Sequence, residues 1–324
     1  MTKDEAFAIG VELGPAVAAH ELAKRGVDHK VVARLVADGL VHRPWRGMFV
    51  FGPLHDVNRA RAGFKHAEQR LARARSQPEP VVTGLLVCRM KKHPWVPAGS
   101  RVQVLVGEHV QRPSYEAIEV RRTADLSQIK RWKLGTLPLA TEARAVYDGA
   151  RLCTSLRDTR GLVLGAIARK TPLVELQKLR DEGSGTAWFN RAVLDAERGC
   201  ASPPEAELVD QMIGCGRPFY VNPLLYIDDE FLCSPDVYEV GTGSGGELDS
   251  IERHFEDDDD RNHTLDRHTR VAQHIELLHR TPTRFRRNPS LMVRELFAQS
   301  DARRARGLGD PPRLRIVPRG PLLR

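Results

Sequence analysis

The chain has no apolar run near the roughly 18 residues that a helix needs to cross a membrane. Met1-Thr2-Lys3-Asp4-Glu5 lacks the basic-then-apolar pattern of a signal peptide. The five cysteines, Cys88, Cys153, Cys200, Cys215 and Cys233, are odd in number, widely spaced and free of any Cys-x-x-Cys pair. Their pattern argues for a reducing cytoplasm and against both a disulfide framework and a zinc site. Cys215 and Cys233 read as small core residues. Between residues 81 and 199 there is no Gly-rich phosphate loop and no nucleophile motif. What remains is a protein of 324 residues, 41% of them hydrophobic, long enough for two or three domains with ordinary cores.

Charge is unevenly placed. The net is +8, but residues 1–199 carry +12, residues 200–300 carry −9 and residues 301–324 carry +5. Basic ends around an acidic module suit a chain that grips phosphates and holds a cation between carboxylates. A soluble protein of high pI would show the same net charge.

Residues 1–55 read as a winged helix-turn-helix. Pro15–Lys24 has helical spacing, and Gly26 breaks it. Asp28 caps a second helix, His29–Asp38, with Val31, Val32, Leu35 and Val36 inward, and Gly39 ends it. Leu40–Phe51 reads as a hairpin turning near Arg46-Gly47. The second helix is then placed for a major groove, with His29, Lys30, Arg34 and, on the wing, Arg43 and Arg46 exposed to DNA. A docking subdomain without DNA contact remains the other reading.

Residues 56–199 read as a mixed α/β region. It opens with a basic helix over 56–76 and continues with extended runs at 101–107 and 115–122 and helices at 138–150, 154–170, 172–182 and 186–198. A boundary is expected at Gly199–Pro204. Ser202 then caps a helix with Glu205 in its first turn. Phe219–Val221, Leu224–Ile227, Phe231–Val240 and Glu247–Ile251 read as extended, with Gly241–Gly246 a flexible loop. A helix near 260–274, a strand at Ile275–Leu278 and a closing helix at Ser290–Ala298 follow. The run 301–324, rich in Gly, Pro and Arg, reads as a basic disordered tail. The fold class expected is α/β in the broad sense, an α+β multidomain chain ending in a mixed sheet flanked by helices.

The most informative stretch is Pro235-Asp236, then Glu247-Leu248-Asp249-Ser250, then His254. Carboxylates on neighbouring extended segments are how proteins hold a hard divalent cation. As an isolated spacing, a turn cap and two surface charges would explain it as well. The order of motifs over 200–300, however, resembles the very-short-patch-repair-like endonuclease domain of the PD-(D/E)xK superfamily. It comprises Ser202-Pro203-Pro204-Glu205, Pro235-Asp236, Glu247-Leu248-Asp249-Ser250, His254, Arg267-His268, and Ile275–Pro282. The superfamily lysine, two residues after the glutamate, is Asp249 here, and the common glycine after it is Ser250. The N-terminal module resembles the winged-helix region of AbiEi-family antitoxins through Gly26-Val27, Leu35–Leu40 and Arg46–Val50.

The resemblance implies Mg²⁺ or Mn²⁺ held by Asp236, Glu247 and Asp249. His254 would orient water or act as general base, and Glu205 and Ser250 would support the site. It implies an endodeoxyribonuclease acting on DNA phosphodiesters. The alternative is a non-catalytic DNA-binding regulator or antitoxin-like protein with a relic nuclease fold, partnered by a cognate toxin or a second copy in a homodimer. A third reading is a partner-binding protein with no DNA role. Asp257–Asp260 reads as a solvated helix start, and His263, His268, His274 and His279 as surface or strand packing. Arg284, Arg286 and Arg287 beside Phe285 fit phosphate contacts or an exposed turn equally.

Overall fold

The structure is a computed structural model that describes residues 1–71, 79–99, 101–108, 118–124, 126, 129, 131–135, 137–182, 186–248 and 269–324. It is α+β, with mixed sheets and many helices, in two compact units, Met1–Phe189 and Asn190–Arg324. The division falls ten residues before the boundary expected at 199, and none falls at 55. Helix α4, described below, packs on both the N-terminal module and the following sheet, which makes residues 1–189 one unit.

The first unit opens with α1 (Lys3–Leu13), begun by a capping box between Thr2 and Glu5. Strand β1 (Ala16–Ala18), α2 (Ala19–Lys24), α3 (His29–Ala37), β2 (Val41–Trp45) and β3 (Met48–Phe51) follow. The strands form an antiparallel sheet in the order β1-β3-β2. The expected Pro15–Lys24 helix is therefore a strand followed by a short helix. Val17 is wholly buried opposite Phe49, and the Glu21 carboxylate accepts the Ala18 N–H at 2.8 Å, starting α2 only at Ala19. Asp28 caps α3 by accepting the Lys30 N–H at 2.8 Å. Gly47 takes the left-handed backbone that the hairpin turn requires. A core of Ala6, Val17, Leu22, Leu35, Val41 and Phe51 holds these elements together.

Helix α4 (Asp56–Leu71) leads to β4 (Val81–Thr83), α5 (Leu85–Met90), β5 (Val102–Gly107), β6 (Ile118–Thr123), β7 (Arg131–Leu134) and β8 (Leu137–Ala140). These strands make a mixed sheet in the order β6-β5-β4-β8-β7. Helices α6 (Glu142–Ala150), α7 (Leu156–Ala168), α8 (Leu173–Glu182) and α9 (Ala187–Glu197) follow. The last three match their periodicity, while the helix expected over 138–150 starts only at Glu142, because Leu137–Ala140 is strand β8, paired with β4 and β7.

The second unit takes α9 from Asn190 onward and continues with α10 (Pro203–Met212), β9 (Phe219–Val221), β10 (Leu224–Ile227), β11 (Glu230–Cys233), β12 (Val237–Glu239) and β13 (Ser244–Leu248). Residues 269–272 are helical, and β14 (Glu276–Arg280), α11 (Pro282–Arg287), α12 (Pro289–Ala305) and β15 (Leu314–Val317) complete it. One sheet runs β14-β13-β12-β9, antiparallel except for the parallel pair β13 and β14. The second runs β11-β10-β15 and is antiparallel.

Two expectations are corrected here. Gly245 and Gly246 are not loop but strand, both buried. A Cβ on Gly245 would lie 2.9 Å from Leu277 Cδ2 and 2.9 Å from the Val237 carbonyl, and one on Gly246 3.1 Å from Met292 Cε. Glycine is there because backbone and neighbours approach closely, not for flexibility. The run 301–324 is not disordered. Leu314 and Ile316 pack on the second unit's core, β15 pairs with β10, and Leu323 pairs with Phe219. The Asp310 carboxylate accepts from Tyr238 Oη at 2.7 Å and from the N–H groups of Gly241 and Gly243 at 2.9 and 3.0 Å.

Candidate functional site

Two constellations stand out, one in each unit. In the second unit, the register Val237↔Gly246, extended by one step, sets Asp236 opposite Glu247 at the edge of the antiparallel pair. Asp236 Oδ2 accepts the Leu248 N–H at 2.6 Å. Glu247 is buried, and its register partner on parallel β14 is His279, whose Nδ1 lies 3.3 Å from Glu247 Oε2. Asp236, Glu247 and His279 therefore form a row across three strands at one end of the sheet. A cavity of about 280 Å³ opens beside the row, walled by Glu247, His279, Ala272 and Ile275.

Glu205 stands behind this row. It is buried on α10 and accepts from the Ala201 N–H at 2.8 Å and from Asn222 Nδ2 at 2.6 Å. Asn222 also donates its side chain to the Gly199 carbonyl, and its backbone N–H to the Asp236 carbonyl at 3.0 Å. So Glu205 holds the Asp236 backbone through Asn222. The residue has a left-handed φ of 47°, which asparagine tolerates better than most side chains. Sequence reasoning missed Asn222 and read His279 as a surface residue or strand packing. An Asn-Pro between two short strands marks only a turn in the sequence, and the place of His279 opposite Glu247 exists only through strand register.

Asp249, Ser250 and His254 lie outside the described residues, as do Arg267, His268, His263 and the run Asp257–Asp260. Among the described residues, no group of three or more His, Cys, Asp and Glu side chains could hold a metal ion. The described part of the site supplies two carboxylates, a hard-oxygen donor set suited to Mg²⁺ or Mn²⁺. Asp249 is the third that the sequence offers. Beneath the sheet, burial and the Asp310 carboxylate push the Tyr238 phenol well above its ordinary value, so Tyr238 remains the donor to Asp310.

In the first unit, His29, Arg43 and Arg46 are brought together. They line one groove of about 450 Å³ between α3 and the hairpin, floored by Ala33, Val36 and Phe49. Lys30 lines the neighbouring hollow, and Arg34 is exposed on α3. The Lys30 N–H holds the Asp28 carboxyl below its usual range, with His29 and Lys30 adding to the effect. The negative charge of Asp28 thus sits at the start of α3, in the hollow beside Lys30, and the polar side chains that line the groove itself are His29, Arg43 and Arg46.

No family model matches this chain, and no curated protein does. A solved structure, that of the RV2827C protein from Mycobacterium tuberculosis, is similar at 13% identity over 62% of this chain and 78% of that one, with a TM-score of 0.38. A likeness at that level bears on neither fold nor function.

Proposed function

We propose that the chain is a DNA-binding protein whose second unit is an endonuclease-like domain acting on DNA phosphodiesters through Asp236, Glu247 and Asp249. The observation that carries the reading is the placement of Asp236 against Glu247 across β12 and β13, backed by Glu205 through Asn222. The sheet order β14-β13-β12-β9, with its single parallel pair, supports it as the scaffold that the resemblance to very-short-patch-repair-like endonucleases implies. Bound at these carboxylates, Mg²⁺ or Mn²⁺ would supply Lewis acidity and an activated water. The chain's own part is to fix Asp236 and Glu247 on adjacent strands and to hold DNA. The basic groove of the first unit, with an AbiEi-antitoxin-like plan, would deliver the second task.

The test is supercoiled plasmid with Mg²⁺ or Mn²⁺ and the full chain, beside an Asp236→Ala/Asp249→Ala double variant. Nicking by the wild type alone is expected. No nicking by either, with DNA binding intact, would replace the reading with a DNA-binding regulator or antitoxin-like protein. One observation favours that alternative: the Asp236 carboxylate is already bonded to the Leu248 N–H, a structural use that a relic site would retain.

A further inference from the structure

Helix α11 begins two residues beyond the strand end that carries His279. Thr281 caps it, its hydroxyl accepting the Arg284 N–H at 3.2 Å, and Pro282 occupies the first turn. Phe285 is the buried anchor. At about 100° per residue, burying Phe285 turns Arg284, Arg286 and Arg287 over the opposite arc, and all three are exposed. None of the three forms an ion pair among the described residues, and Arg286 bonds only the Pro282 carbonyl within its own turn. Of the other exposed arginines of this unit, Arg270 pairs with Glu230, Arg313 with Asp228 and Arg315 with Asp229, while Arg294, Arg319 and Arg324 form no ion pair among the described residues but stand singly in the sequence.

Position matters as much as exposure. Because β14 runs parallel to β13, its end at His279 and Arg280 lies beside Glu247 and Leu248, the sheet end that holds Asp236. Two carboxylates repel an approaching phosphate. A polyanion is held there only if cations stand close by on its path. The six residues of α11 span about 9 Å. One DNA strand advances about 3.4 Å of axis per phosphate, so the helix covers two or three phosphates.

From this we infer that Arg284, Arg286 and Arg287 form a rim that holds the phosphate backbone of DNA across the Asp236–Glu247 end of the sheet. This deepens the reading above and rests on that site acting on DNA. It makes the second unit a binder in its own right, separate from the groove of the first.

Binding is measured by fluorescence anisotropy of a labelled duplex in EDTA over a salt series. The full chain carries Arg43→Ala and Arg46→Ala to weaken the first groove. To this are added either Arg284→Ala/Arg286→Ala/Arg287→Ala or, at equal charge cost, Arg270→Ala/Arg313→Ala/Arg315→Ala. The α11 triple is expected to lower the slope of log affinity against log salt by about 0.9 per lost phosphate, roughly two units in all, and to weaken binding at least tenfold. The control triple leaves both unchanged. Equal losses in the two triples, or none in either, overturn the proposal. So does equal α11-dependent capture of polyglutamate, which points to an acidic protein partner. If the alanine triple melts early, the glutamine triple carries the test. Because EDTA removes the metal, absent cleavage with α11-dependent binding sinks the nuclease reading alone.

Discussion

The Asp236 carboxylate accepts the Leu248 N–H at 2.6 Å, one residue beyond Glu247, and so ties the two acidic strand ends to each other. One side chain serves the sheet and the candidate chemistry together, and substitutions separate the two. Asp236→Asn keeps an oxygen for Leu248 and loses the charge. It should melt within a few degrees of wild type and lose plasmid nicking by about two orders of magnitude or more. Asp236→Ala should in addition cost about 1–3 kcal/mol in chemical denaturation, because a backbone donor is left unpaired. Nicking that survives Asp236→Asn would remove this carboxylate from the chemistry.

Arg43 and Arg46 should set the strength of DNA binding by the first unit. Each is expected to contribute one phosphate contact, so their double alanine variant lowers the salt slope by about 1.8. Anisotropy titrations in otherwise unaltered protein read this. An unchanged slope would return the module to a docking role.

Asn222→Ala should destabilise the second unit. Its loss strips a partner from the buried Glu205 carboxylate and leaves the Gly199 carbonyl without its side-chain donor. It also puts alanine at a left-handed φ. A cost of about 2–3 kcal/mol in urea unfolding is expected. A stable Asn222→Ala protein would show that Glu205 does not brace Asp236.

His93 should make the first unit acid-sensitive. Its side chain is wholly buried, neither ring nitrogen has a hydrogen-bond partner, and Nε2 lies 3.6 Å from Glu142. Burial lowers its pKa from the usual 6.5, more than the nearby Glu142 raises it, with Arg169 and Lys91 adding to the lowering. The unfolded chain therefore takes the proton first. Stability is full above about pH 6.5 and declines as pH falls toward the lower folded value. The denaturation midpoint should drop between pH 7.5 and 5.5 in the wild type and drop less in His93→Gln. Equal drops would locate the sensitivity elsewhere.

Much of this architecture can be read from the residues. Ser202 with Glu205 announced α10, Asp28 announced α3, and the apolar runs at 219–221 and 224–227 are the strands β9 and β10. The misreadings share a cause. Gly245, Gly246 and the Gly/Pro-rich stretch after 306 carry weak local preferences, and distant partners decide their structure. Met292 and Leu277 press on the glycines, and β10 receives Leu314–Val317. The alternation Leu314-Arg315-Ile316 was the legible trace of that strand. For the site, the acidic pair was visible as spacing, but Asn222 and His279 were not, because their roles exist only through strand register.

The pairing of Leu224 with Val317 and of Phe219 with Leu323 has a consequence for synthesis. Strands made early in the second unit wait for partners made some ninety residues later. At about 5–20 residues per second, β9 and β10 would emerge from the ribosome several seconds before those partners exist. During that interval β10 offers an open edge, and Leu225 has no complete core to enter. The first unit closes on contacts within 1–189 and escapes this delay. Translation pauses or chaperone depletion should therefore reduce the yield of folded second unit while sparing the first, and limited proteolysis of nascent chains would resolve the two.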